Sequence, residues 1–171
     1  MRTISLRPAP MVRVIYSDPT VAIGEIGRFF VGVWRGEVTR QLFEKQRWGL
    51  TEVVQRHPRG VGFLCVIEPS SKPPESEFRR ASVVMIEEHG ERLRCVGLVI
   101  EGSGFAAALI RTAISSMLLV HRKRSPLADF ANVTSAVDWM SQYVPVDAGT
   151  DLVALVEELR ATMSASGIRV R

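Results

Sequence analysis

The chain has 171 residues, 46% of them hydrophobic and 23% charged. That is enough apolar material for one buried core at ordinary globular composition, which excludes a disordered or fibrous protein. A net charge of +4, from 22 basic against 18 acidic residues, is too small an excess to imply nucleic-acid binding.

Val12 to Tyr16 and Val21 to Ile26 are short β-rich runs separated by the turn composition Ser17-Asp18-Pro19. Gly27-Arg28 then leads into Phe29 to Arg35, so two or three antiparallel strands open the chain. In FFVGVW the alternation puts Phe29, Val31 and Val33 on one face and Phe30, Gly32 and Trp34 on the other. Both faces are apolar or small, which predicts a central strand. Gly36 ends the run, and Thr39 offers a hydroxyl to cap the first free amides of a helix. At roughly 100° per residue, Leu42, Phe43, Leu50, Val53 and Val54 share one side of that helix, which stops near His57-Pro58-Arg59-Gly60. Trp48 projects to the opposite side, where it either packs beneath another segment or lies exposed as a partner contact.

Val61 to Ile67 is a continuous apolar run, as expected of a strand covered on both faces and reached by a parallel crossover. The three prolines in Glu68 to Glu75 make that stretch an exposed loop. A helix from Ser76 carries Phe78, Ala81, Met85 and Ile86 on one side and stops at Gly90. Arg94 to Ile100 is another strand, and Ser103 or Gly104 starts a long apolar helix through Val120, predicted to lie deep in the core or at a dimer interface. Leu127 to Val133 is a weak strand candidate. Thr134 caps a helix with Ala136, Val137, Met140, Tyr143 and Val144, and Thr150 and Asp151 start an amphipathic helix with Leu152, Val156, Leu159 and Met163 in register. This order predicts an α/β domain over residues 1–145, with an N-terminal extension over 1–20 and a C-terminal helix and tail over 146–171. Its mixed β-sheet has about four to five strands covered by helices, with the last amphipathic helix appended.

Cys65 and Cys95 sit inside apolar runs, which suits buried reduced thiols and a cytoplasmic location. The opening MRTISLRPAPMVRV holds no apolar stretch long enough for a signal peptide. Phe105 to Val120, the longest apolar segment, is shorter than the roughly 20 residues of a membrane span. His57, Cys65, His89, Cys95 and His121 never fall at metal-ligand spacing, and no catalytic signature or cofactor motif is present. Gly102-Ser103-Gly104 reads as a structural turn, and Glu87-Glu88 as a solvated helix end. The basic run His121-Arg122-Lys123-Arg124 is a solvated helix C-terminus, or a contact through Arg122, Lys123 and Arg124 for an acidic partner. Ser70 and Ser71 follow a buried strand in a loop open to a kinase, where a phosphate adds nearly two negative charges.

Three stretches together resemble the STAS domains typified by bacterial anti-sigma factor antagonists. They are Val33-Trp34-Arg35-Gly36-Glu37-Val38-Thr39 at the strand-to-helix junction, the strand Gly62 to Glu68, and Phe130-Ala131-Asn132-Val133-Thr134-Ser135-Ala136-Val137-Asp138-Trp139-Met140. The resemblance covers Val21 to Val144. It implies a non-enzymatic regulatory domain in partner-switching signalling, binding a kinase or regulator or a second copy of itself, without a cofactor. Many family members carry Asp-x-Ser at the strand end, with the serine phosphorylated by a partner kinase; here Glu68-Pro69-Ser70 occupies that place. The resemblance thus implies a phosphosite at Ser70 or Ser71, with Glu68 in the contact surface. The other reading is a roadblock-like dimeric regulatory or small-ligand-binding module, which requires a helix before the first strand.

Overall fold

A computed structural model describes residues 11–120 and 125–165, apart from the side chains of 117–120 and 165. Along the chain run β1 (Val12–Ser17), β2 (Val21–Ile26), β3 (Phe29–Trp34), α1 (Arg40–Arg56), β4 (Val61–Ile67), α2 (Ser76–Glu88), β5 (Leu93–Ile100), α3 (Phe105–Val120), β6 (Leu127–Phe130), α4 (Val133–Met140) and α5 (Leu152–Ala165), with a 3-10 turn at Gly90–Arg92 before β5.

The strands form one six-stranded mixed sheet in the order of the sequence. β1, β2 and β3 are an antiparallel meander, and β3 to β6 pair in parallel. The expected strand count of four to five is therefore low. β1, inside the stretch assigned to an N-terminal extension, pairs with β2 from Val12 opposite Ile26 to Ser17 opposite Ala22. β6 pairs with β5. Both are edge strands of partly buried residues, so neither carries the strong apolar signal of the inner four.

The junction after β3 forms as its residues predict. Trp34 ends the strand, and the Thr39 side chain accepts a hydrogen bond from the Leu42 amide at 3.3 Å to cap α1. The helices that link consecutive parallel strands, α1, α2 and α3, pack on one face of the sheet. There Leu50, Val53, Met85 and Ile110 pack against Phe30, Phe63, Val96 and Ile100. The opposite face is closed by α4 and α5, with Met140, Val156, Leu159 and Met163 against Val31, Leu64, Val66 and Val99. The result is a three-layer α/β/α sandwich with a core on each side of the sheet.

Three helices add to or depart from expectation. α5 seats directly on β1, β2 and β3 and supplies part of the second core. Its Leu159 methyl comes within 3.0 Å of where a Cβ on Gly24 would lie, so a glycine in β2 gives the helix room to approach. α3 buries Ala107, Ile110 and Ile114 but leaves Phe105 81% and Leu109 43% exposed. It lies on the surface with an apolar outer side, not deep in the core. α4 starts earlier than predicted, because the Asn132 side chain, not Thr134, caps it by accepting from the Ser135 amide at 2.9 Å.

Candidate functional site

Each of three parallel strands is followed at once by a charged residue: Arg35 after β3, Glu68 after β4 and Glu101 after β5. Parallel pairing brings these strand ends together. Arg35 Nε donates to Glu68 Oε2 at 2.6 Å, and Arg160, reaching across from α5, donates to Glu68 Oε1 at 2.8 Å and to Glu101 at 2.7 and 2.9 Å. Glu157 lies 3.1 Å from the same guanidinium. Burial works against the charge of Glu68, but the bonds from Arg35 and Arg160 outweigh it and hold the carboxyl below its ordinary value. Its bonds to Glu101 above all raise Arg160. The network ties the carboxyl ends of the strands to the helix that covers the other face.

Glu68 is thus a buried structural anion, 7% exposed, with both carboxylate oxygens engaged inside the molecule. The backbone then turns: the Ser71 amide donates to the Glu68 carbonyl at 3.0 Å. The two serines separate in kind. Ser71 is buried and its hydroxyl donates to the Trp34 carbonyl at 2.8 Å, whereas Ser70 is exposed and its hydroxyl donates to the Arg35 carbonyl at 2.7 Å. Both hydroxyls pin the loop to the end of β3.

Under this loop, between α1, α2 and the face of β3 to β5, lies a cleft of about 80 Å³. Trp34, Phe43, Phe63, Phe78, Met85 and Leu98 are among its walls. The Gln46 side chain, buried in the α1 wall, accepts from the Trp34 indole Nε1 at 2.8 Å. Cys65 lines the cleft as a free thiol that burial pushes up to about 12, so it is protonated and a poor nucleophile near neutral pH. Cys95, buried and free under α4, is raised to about 12 in the same way.

Trp48 stands on the outer side of α1, 63% exposed, so it does not pack beneath another segment. α1 and α2 run side by side, joined by Arg40 to Glu77 at 2.6 Å, Arg47 to Glu88 at 2.7 Å and the tilted ring pair Phe43 and Phe78. Glu88, read as a solvated helix end, is one of these bridges. Val84 of α2 is also exposed on this helical layer. Arg122, Lys123 and Arg124 lie outside the described residues.

A second charged cluster, at the other end of the meander, was not legible in the sequence. Buried Glu25 of β2 bonds to His57 Nε2 at 2.6 Å and to Arg13, and Arg56 lies 3.3 Å away. Burial opposes its charge, but His57, Arg13 and Arg56 prevail and lower it. Sequence distance hid this cluster, since its members come from β1, β2 and the end of α1. The charged residue after each of β3, β4 and β5 is, by contrast, a signal that the strand boundaries alone expose.

Among the described residues no group of three His, Cys, Asp or Glu side chains is placed to hold a metal ion, and no helix is long and apolar enough to cross a membrane. Compared with known proteins, the chain matches no family model, no curated protein and no solved structure.

Proposed function

We propose that this chain is a STAS-like, non-enzymatic regulatory module of the cytoplasm. It binds a protein partner, a signalling kinase or regulator or a second copy of itself, through the outer side of α1 and the adjoining Glu68 to Glu75 loop. The observation that carries this reading is Trp48. An indole 63% exposed on a helix whose opposite side packs on the core leaves most of its surface to water, and covering it at an interface is worth about 3 kcal/mol. Trp48→Ala tests it. The melting temperature stays within about 3 °C of wild type, while self-association by light scattering or capture of a partner, compared by quantitative mass spectrometry with wild-type bait, is lost. Identical mass and identical partner profiles for the two proteins, or a collapse in stability, would sink the reading.

Regulation by phosphate, within this proposal, belongs to Ser70. Its hydroxyl is open to solvent, whereas the Ser71 hydroxyl is buried. A phosphate on Ser70 replaces the bond to the Arg35 carbonyl with about two negative charges beside the strand ends. Mass spectrometry of protein from native cells reads the site directly; phosphate found on Ser71 and never on Ser70 would contradict the assignment.

The alternative, a roadblock-like dimeric regulatory or small-ligand-binding module, draws support for its ligand-binding half from the apolar cleft under the 68–75 loop.

A further inference from the structure

We propose that the cleft between α1, α2 and the β3 to β5 face binds a compact, neutral, apolar molecule carrying one hydrogen-bond acceptor, which the Gln46 side-chain amide holds. This does not rest on the partner-binding reading. At about 80 Å³ the space is several times what one water needs, of order 10 to 15 Å³, and larger than the voids close-packed interiors leave. It sits at the carboxyl ends of the parallel strands, where helices splay from a sheet and ligands of α/β proteins commonly enter.

The lining dictates the ligand. Its walls are aromatic and aliphatic, and the charged residue among them, Lys72, stands 71% exposed with its ammonium 3.0 Å from Glu37. No buried charge awaits an ionic ligand there. The polar groups divide by direction. Ser71 and Ser82 already donate their hydroxyl protons to the Trp34 and Phe78 carbonyls. Gln46 differs: its Oε1 accepts from the Trp34 indole, which fixes the amide orientation. Its Nε2, carrying two donor hydrogens, makes no hydrogen bond among the described residues and is not one of the unpaired polar atoms sealed from solvent. An unpaired donor on the wall of an apolar cleft, still reachable by solvent through it, is complementary to a carbonyl or ether oxygen on an otherwise apolar body. The protonated Cys65 thiol contributes to an apolar lining and forms no bond with the ligand.

The experiment uses the full chain labelled with 15N and titrated with cyclopentanone, against cyclopentane as the same body without an acceptor. Signals to follow are the Trp34 indole N–H and the Gln46 side-chain amide. Cyclopentanone shifts both saturably, and cyclopentane binds at least tenfold more weakly. Gln46→Met removes that preference for the ketone. Ser82→Leu, which extends a side chain from α2 into the cleft, abolishes saturation while the amide spectrum stays dispersed; should it fail to fold, Ser82→Val serves the same purpose. Shifts that rise linearly to the solubility limit, equal affinity for ketone and hydrocarbon, or saturable shifts that survive both variants would each overturn the proposal.

Discussion

Replacing Arg160 by Met removes the cation that joins α5 to the ends of β4 and β5 while keeping the length and apolar stem of the side chain. Arg160 is 17% exposed, Glu68 9% and Glu101 24% at the side-chain level, so the pairs lie between two limits. Breaking a fully buried ion pair costs about 3 to 5 kcal/mol, because the partner is left desolvated; an exposed pair is worth up to about 1 kcal/mol. Glu68 keeps Arg35, and Glu101 has some access to water, so the expected loss is about 2 to 3 kcal/mol. For a chain of this size that lowers the melting temperature by about 4 to 12 °C. The pH dependence follows from sign. The folded-state pKa of Glu68 is lowered, so the stability it contributes is present above the unfolded value of about 4.3 and is lost as pH falls through the folded value. Arg160→Met removes part of that lowering, so the gap between the two proteins is widest near pH 7 and narrows below about pH 4. Urea unfolding at pH 7, 4 and 3 measures it, and a cycle with Glu101→Gln isolates a coupling of about 1 kcal/mol. A gap under about 0.5 kcal/mol at pH 7, or one that does not change with pH, refutes the account of this network as a staple of the fold.

Leu159→Ala opens a cavity in the second core where the residue is fully buried against β2, and the expected cost is about 3 to 4 kcal/mol by denaturant unfolding; less than 1 would mean that α5 is not seated on the sheet. Glu25→Gln removes the carboxylate that holds His57, Arg13 and Arg56, costs about 1 to 3 kcal/mol at pH 7, and flattens the acid limb of the stability curve, since the lowered pKa of Glu25 otherwise makes stability fall as pH drops through it. An unchanged acid limb would contradict that. Both thiols, raised to about 12 by burial, resist an aromatic disulfide reagent at pH 8 in the native protein and react at once in denaturant; prompt labelling of the folded chain would show that Cys65 or Cys95 is accessible.

Local physics determined much of this protein from its sequence. Residue period and punctuation locate β2, β3, β4 and β5, because strands covered on both faces are built mostly from apolar and small residues. They also place the cap at Thr39 and the buried side of α1, because a capping hydroxyl and a 3.6-residue stripe are written within a few consecutive positions. The exposure of Trp48 was one of two outcomes that helical geometry allowed. The edge strand β1 was legible as a β-rich run, whereas the edge strand β6 was faint because half of an edge residue's surroundings is solvent, so its side chains need not be apolar. Tertiary structure alone decided what depends on residues distant in the chain. Arg160 meets Glu68 92 positions away, which turns an expected contact residue into an internal anion. Ser70 and Ser71, equivalent as letters, differ because one hydroxyl turns beneath the loop and the other does not. Gln46 keeps an unused donor only because Trp34, on a neighbouring strand, claims its oxygen. Such pairings follow from how strands and helices stack, and stacking is a property of the whole core that no short window of sequence contains.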